Sequence, residues 1–165
     1  IIYGISSYGL SERLTIGRSE AKDLIDGYFN SYPGVKIYMD ESIRKARDLG
    51  YVTTMFGRKR YARDIHSQNQ VVRGNAERNA INAPIQGTAA DIIKIAMIRI
   101  HGRLKDEGLK AKMILQVHDE LIFEVLPGEL EKLKDIVLTE MSGAAILDVP
   151  LKVDWGTGNN WLEAH

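Results

Sequence analysis

The stretch Met113–Leu126, MILQVHDELIFEVL, contains two runs of β-favouring residues separated only by His118, Asp119 and Glu120. Two such runs with a short polar break are typical of a β-hairpin, so we predict antiparallel strands with an acidic tip. A tight turn lets the adjacent carboxylates of Asp119 and Glu120 approach one cation. Mg²⁺ prefers one or two carboxylates together with the phosphate oxygens of a substrate. The alternative is a polar turn that binds nothing, because acidic turns are common.

Helical patterns flank this hairpin on both sides. Apolar spacing and Gly or Pro stops predict helices over about 19–33, 35–49, 70–83, 88–107 and 129–141, a basic hairpin over 51–61, and a last strand over about 149–153. Pro84 is expected to end a helix because proline lacks an amide donor, and Thr88 with Asp91 resembles a capping box. The pattern is α+β: a helical segment, then helices packed on an antiparallel sheet, with a rough boundary near residue 65.

The composition is that of an ordinary globular protein. The 165 residues include 22 Lys and Arg, 22 Asp and Glu, and 44% apolar residues, which excludes a disordered or collagen-like chain. Cys is absent, which excludes a disulfide framework and a Cys-ligated zinc site. No apolar run approaches the roughly 20 residues that span a bilayer, so a soluble, intracellular protein is expected. Because the chain begins at Ile1 without Met, we expect it to be cut from something longer.

The net charge of zero hides two regions of opposite sign. Residues 44–73 carry eight basic and two acidic side chains, whereas residues 113–165 carry three basic and ten acidic ones. The basic region suits a polyanion, and the acidic region suits a solvated face or a metal site.

A row of polar side chains recurs at intervals of four residues: Arg78, Asn82 and Gln86. Arg78 and Asn82 share a helical face, and Gln86 follows just past the predicted helix break. Donors in such a row can bind minor-groove acceptors, which every base pair presents in similar positions. The simpler alternative is an exposed polar helix face. Near the start of the chain, Tyr3 beside Gly4 either stacks on a base or packs in the core.

Together these segments resemble the carboxy-terminal part of a family A DNA polymerase, the bacterial DNA polymerase I type. The resemblance covers essentially the whole chain, and five strings carry it in order: IIYGIS at 1–6, TMFGRKRY at 54–61, ERNAINAPIQGTAAD at 77–91, QVHDEL at 116–121 and NWLEAH at 160–165. They resemble, respectively, the end of the nucleotide-binding helix, the basic hairpin, the long palm helix, the third catalytic motif and the native terminus of that family.

The resemblance implies template-directed DNA synthesis, the transfer of a nucleotide from dNTP to a primer 3′-hydroxyl with two Mg²⁺ ions. Asp119 and Glu120 would be the catalytic and metal-binding residues, with Glu120 acting less directly. Tyr3 would bind the nucleotide and stack at the templating position. The implied DNA-binding residues are Tyr3, Tyr8, Arg58, Arg60, Arg78, Asn82, Gln86 and His118.

The resemblance also implies that the chain is incomplete as an enzyme. The family's other metal-binding Asp, its Arg and Lys for the dNTP phosphates, and an aromatic residue for the incoming base belong upstream of Ile1. We therefore expect part of the fingers (1–65) and part of the palm (66–165) of a cytoplasmic, nucleoid-associated bacterial replication and repair enzyme, inactive alone. The sheet would lack a neighbouring strand, so we also expect self-association through its exposed edge.

Two other functions stay open on the sequence. A non-catalytic nucleic-acid-binding module would bind primer–template in a salt-dependent manner, and its binding would survive Asp119→Ala. A small Mg²⁺-dependent phosphohydrolase centred on Asp119 and Glu120 would need a further acidic ligand, for which Asp91, Glu124 and Asp154 are the candidates.

Overall fold

The computed structural model describes residues 1–164, so His165, the last residue of the predicted terminal motif, lies outside the described residues. The chain forms two compact units, Ile1–Thr88 and the residues from Ala89 onward. Helices and two small antiparallel sheets build these units, which confirms the predicted α+β class. None of the described helices is long and apolar enough to cross a membrane.

The first unit is mostly helical. Its elements are α1 (Ser7–Leu14), α2 (Arg18–Ser31), α3 (Pro33–Leu49), β1 (Tyr51–Thr53), β2 (Lys59–Tyr61) and the first half of α4 (Gln70–Asp106). Helix α3 begins at a proline, a residue that fits the first turn of a helix because no backbone donor is needed there. The helix ends at Gly50, whose φ of +77° is left-handed. Strands β1 and β2 pair antiparallel, as predicted. A buried apolar cluster of this unit contains Ala46, Val52, Ile65, Ala76 and Ala80.

Helix α4 differs from the prediction. Pro84 lies inside one continuous helix, so the predicted break is wrong. Side chains of the same unit supply hydrogen bonds around the proline: the Tyr38 hydroxyl donates to the Ile81 carbonyl at 2.9 Å, and Thr88 Oγ1 donates to the Pro84 carbonyl at 2.6 Å. The capping box predicted at Thr88 and Asp91 is also wrong, because both residues lie inside α4.

The second unit packs helices on a two-stranded sheet, as predicted. Its elements are the rest of α4, β3 (Lys112–Val117), β4 (Glu120–Glu124), a 3₁₀ turn (Pro127–Glu129), α5 (Leu130–Ser142) and α6 (Trp161–Ala164). Strands β3 and β4 are antiparallel, with a register shift between Met113 and Leu115. The buried core of this unit consists of Ala96, Ile100, Leu104, Ala111, Leu133, Ile136 and Ala144.

The strand predicted over 149–153 is wrong, because these residues form no regular secondary structure. A strand needs a neighbour to pair its backbone amides and carbonyls. Among the described residues each sheet contains two strands, and neither sheet includes this segment. Val149 is 72% exposed, whereas Leu151 and Val153 are half-buried.

Ion pairs join the end of α4 to α5 in the second unit. Arg103 Nη2 lies 2.6 Å from a Glu107 carboxylate oxygen, and Arg103 Nη1 lies 3.5 Å from Glu140. Lys132 Nζ lies 3.2 Å from the other Glu107 oxygen. Hydrogen bonds from Arg103, and then from Lys132, lower the pKa of the Glu107 carboxyl, and the same Arg103–Glu107 bond raises the pKa of Arg103.

Candidate catalytic hairpin and nucleic-acid interface

The predicted acidic hairpin tip is present in the second unit. Val117 at the end of β3 pairs with Glu120 at the start of β4. The two residues between them form the turn, in which His118 has a left-handed φ of +53°. The carbonyl oxygen of His118 accepts a 2.6 Å hydrogen bond from Gln116 Nε2. Positive φ at a turn residue suits the twist of a two-residue hairpin, and the turn leaves Asp119 exposed at the hairpin end.

The two adjacent carboxylates lie in different surroundings. Asp119 is exposed in the turn, whereas Glu120 is half-buried as the first residue of β4. Within residues 1–164, no three His, Cys, Asp or Glu side chains come together as a metal-binding group, and this includes the candidates Asp91, Glu124 and Asp154. An exposed carboxylate nevertheless fits Mg²⁺, because that ion is commonly held by one or two carboxylates together with substrate phosphates and water.

The predicted polar row lies on a single helix of the first unit. Because Pro84 does not end α4, Arg78, Asn82 and Gln86 follow one another at intervals of four residues on a continuous helix. Arg78 and Gln86 are exposed, and Asn82 is half-buried. The Arg78 guanidinium also donates to the side-chain oxygen of Asn75. We call the three residues Arg78, Asn82 and Gln86 the polar row.

The turn that contains Tyr3 lies against the polar row. The amide of Gly4 donates to the Ile1 carbonyl at 2.8 Å, which closes the turn. Gly4 has a φ of +77°, and a Cβ there would lie 3.2 Å from Arg78 Cγ, so a side chain would be strained and crowded. Tyr3 is 63% exposed, which argues against packing in the core. The structure thus places the turn that contains Tyr3 against Arg78 through Gly4, with Tyr3 itself exposed.

Tyr8 contacts a basic residue that the sequence did not indicate. Its ring lies on α1 and is 54% exposed. The Arg18 guanidinium is 4.7 Å from the ring centre, a cation–π distance. Sequence reasoning missed Arg18 because the approach of α2 to α1 is a tertiary feature. The pair combines an aromatic face with positive charge, a combination that suits nucleic acid.

The basic hairpin of β1 and β2 carries exposed cations, one of which is hydrogen-bonded to α4. Arg58 Nη2 donates to the Gly87 carbonyl in α4 at 3.0 Å. Lys59 Nζ lies 4.3 Å from the ring centre of Tyr51 on the adjacent strand. Arg60 is exposed on β2. The predicted cationic surface is therefore present, with Arg58 also bonded to the protein.

A groove of about 330 Å³ lies between this hairpin and the first half of α4. Its charged and amide side chains are two guanidinium groups, two amides and one carboxylate, from Arg60, Arg63, Asn75, Asn79 and Asp64. Sequence reasoning counted Arg63 in the basic region without assigning it a role, and missed Asn75 and Asn79. Their four-residue spacing on a helix was the available signal. The net positive lining suits a polyanion.

His118, Asp119 and Glu120 belong to the second unit, and the other predicted site residues belong to the first. The sequence model of DNA polymerase family A matches residues 1–163. The chain belongs to DNA polymerase family A. It is 53% identical to DNA polymerase I of Bacillus caldotenax over 164 residues, and 50% identical to that of Pseudomonas aeruginosa over 165 residues. The matches cover 99% and 100% of this chain but 19% and 18% of those proteins, so the chain spans about a fifth of the relatives' length.

A solved family A structure is similar to the described fold. It is the POL domain of Pol1 from M. smegmatis in complex with DNA primer-template and dNTP. The TM-score is 0.96 with 48% sequence identity, and the match covers 99% of this chain and 29% of that chain. The resemblance to DNA polymerase I that the sequence motifs indicated is confirmed.

Proposed function

We propose that this chain is part of a longer DNA polymerase and contributes to the transfer of a nucleotide from dNTP to a primer 3′-hydroxyl. The observation that carries the proposal is the exposed Asp119 in the turn of the β3–β4 hairpin, in a chain that matches the family over residues 1–163. The similar POL domain holds DNA primer-template and dNTP, which supports the same partners here.

Asp119, with support from Glu120, would hold Mg²⁺ for this reaction. The other half of a two-metal site would come from residues outside this chain. The chemistry that Mg²⁺ supplies when bound is activation of the primer 3′-hydroxyl and stabilisation of the leaving pyrophosphate. The exposure of Asp119 supports this role, because a carboxylate that shares a cation with substrate phosphates must be accessible to the substrate. His118, the other turn residue, contacts the DNA near the primer end.

The polar row contacts primer–template DNA close to the nascent base pair. Its guanidinium and amide donors bind acceptors in the minor groove. Every base pair presents these acceptors in similar positions, so the contacts detect a correctly shaped pair whatever its sequence. Tyr3 stacks at the templating position and moves when a correct nucleotide binds. The exposure of Tyr3 and the contact of its neighbour Gly4 with Arg78 support this assignment.

The basic hairpin and the groove next to it bind the phosphates of the DNA backbone. Arg58 and Arg60 supply positive charge, and Tyr8 adds an exposed aromatic ring beside Arg18. Contacts of this kind are independent of sequence and weaken as salt rises. In functional terms, residues 1–65 belong to the fingers and residues 66–165 to the palm, in a replication and repair enzyme of the bacterial cytoplasm that associates with the nucleoid.

The basic groove also favours a second candidate, a non-catalytic DNA-binding module. Such a module would bind primer–template and support no synthesis in any longer protein that contains it. The two functions differ in whether Asp119 is needed for chemistry.

Primer extension by a full-length polymerase that carries this chain distinguishes them. We expect Asp119→Asn to abolish extension and Asp106→Asn, an exposed carboxylate at the end of α4, to leave it unchanged. The 165-residue chain alone should bind primer–template without extending it. Extension by the Asp119→Asn enzyme would contradict the role of Asp119. Binding without extension by the unaltered full-length protein would favour the binding module.

A further inference from the structure

The loop between β1 and β2 is fastened to α4 just after Pro84. Thr88 Oγ1 accepts a 2.9 Å hydrogen bond from the Met55 amide in the loop, while its own hydrogen is donated to the Pro84 carbonyl at 2.6 Å. Arg58 Nη2 donates to the Gly87 carbonyl at 3.0 Å. We call these contacts of Met55 and Arg58 with Gly87 and Thr88 the loop clamp.

Gly87 makes the close approach of the loop possible. A Cβ at this position would lie 2.6 Å from Thr54 Cγ2 and 3.4 Å from Arg58 Nη2. Thr54 is buried at 8% exposure, and its Oγ1 accepts from the Arg58 amide at 3.1 Å, which holds the loop in shape. A side chain at position 87 would therefore push the loop away from α4.

The loop clamp acts on the turn of α4 that begins at Pro84. Proline removes one backbone hydrogen bond and crowds the preceding turn. A threonine hydroxyl bonded to a carbonyl one turn earlier is typical of a bent helix. Gln86 lies between Pro84 and Gly87 and is exposed. Contacts that fix the backbone of this turn therefore fix the direction in which the Gln86 side chain leaves the helix.

We propose that Thr88 is a positioning residue for nucleotide selection. Through the loop clamp it holds the turn that carries Gln86, so that Gln86 meets the minor-groove edge of a correct pair and not that of a mispair. Thr88 is half-buried and acts through Gln86 and not on the DNA. The inference rests on the proposed function, since it requires Gln86 to contact the nascent pair.

The test uses a full-length polymerase that carries this chain. Thr88→Val keeps the shape of the side chain and removes both hydrogen bonds, whereas Thr88→Ser keeps the hydroxyl. Thr139→Val is the matched control, because Thr139 is an exposed threonine on helix α5, outside the loop clamp and the proposed DNA-binding surface. We expect Thr88→Val to lower the ratio of kcat/KM for correct over mismatched insertion by about tenfold. Thr88→Ser and Thr139→Val should change it by less than about twofold.

Equal losses for correct and mismatched nucleotides in Thr88→Val, with a lowered Tm, would mean that Thr88 is merely structural and would overturn the proposal. A double-mutant cycle adds a second test: in a Gln86→Ala background, Thr88→Val should have little further effect on the ratio. No effect of Gln86→Ala itself would contradict the proposed function of Gln86. An effect of Gln86→Ala together with an unchanged ratio in Thr88→Val would overturn only the present inference.

Discussion

The hydroxyl of Tyr38 donates a 2.9 Å hydrogen bond to the backbone carbonyl of Ile81, which joins α3 to α4 three residues before Pro84. Proline disturbs the carbonyls of the turn that precedes it, so a side-chain donor there supports the helix. Burial raises the pKa of the Tyr38 hydroxyl, although a hydrogen bond with Ser42 opposes the shift. The hydroxyl therefore stays protonated, as a donor must, at neutral pH.

Tyr38→Phe removes this bond and keeps the ring. We expect the free energy of unfolding of the chain to fall by about 1 kcal/mol, the usual net contribution of an intramolecular hydrogen bond. Urea unfolding at neutral pH measures it. Tyr32→Phe is the control, because Tyr32 is 58% exposed and its ring contact with Tyr28 does not need the hydroxyl. Equal stability of the Tyr38→Phe variant and the unaltered chain would contradict the role of the bond.

Glu107 makes the stability of the second unit depend on pH. Hydrogen bonds from Arg103, and then from Lys132, lower the pKa of its carboxyl below the ordinary 4.5. A carboxyl whose pKa is lowered in the folded state contributes stability above its unfolded pKa, and that contribution is lost as pH falls through the folded pKa. Glu107→Gln should therefore lower Tm at neutral pH and reduce its decline below about pH 4.5.

Circular dichroism melts from neutral pH down to about pH 3 test this prediction. Asp106→Asn is the control, because Asp106 is the exposed neighbour and makes no ion pair within the described part of the chain. If Glu107→Gln and the unaltered chain gave the same Tm at every pH, the ion-pair account would be wrong.

Arg60 is expected to bind a DNA phosphate. Arg60→Ala should weaken primer–template binding and reduce the magnitude of the slope of log K against log salt by about one. Fluorescence anisotropy across a salt series measures both quantities. Lys22→Ala removes the same charge from α2, where Lys22 pairs with Asp26 at 3.5 Å, and should leave the slope unchanged. Identical slopes for all three proteins would mean that Arg60 does not contact phosphate.

The β3–β4 sheet is expected to mediate self-association of the 165-residue chain. The sheet has two strands among the described residues, so each of its strands is paired on one side by the other. Ile114 on β3 is 58% exposed, and bare apolar edges template pairing with another chain. Sedimentation should detect dimers or larger species, and Ile114→Lys should reduce them more than Ile98→Lys on α4, where Ile98 is 72% exposed. A monomer across a wide concentration range would contradict this.

The elements that depend on local sequence were predictable, and those that depend on distant partners were not. The turn at His118 and Asp119 followed from the two β-rich runs that flank it. The effect of Pro84 did not, because the donors that support α4 come from the side chains of Tyr38 and Thr88. Residues 149–153 have the composition of a strand but no partner strand in either described sheet.

The candidate site also combines features that local sequence predicts with features that depend on tertiary packing. The polar row followed from a spacing of four residues, which a helix places on one face. The groove beside the basic hairpin did not, because Arg63 comes from a loop and Asn79 from a helix. Their proximity is set by the packing of β1 and β2 on α4, which no local pattern records.

The central claim is that Asp119 holds the metal ion for nucleotidyl transfer. Single-turnover incorporation by a full-length polymerase with Asp119→Cys tests it most directly, because a thiolate favours softer cations than Mg²⁺. We predict that incorporation is lost in Mg²⁺ and partly restored by Cd²⁺, that Asp119→Asn is restored by neither ion, and that primer–template binding is unchanged in both variants. Incorporation by the Asp119→Cys enzyme in Mg²⁺ at the rate of the unaltered enzyme would contradict the claim.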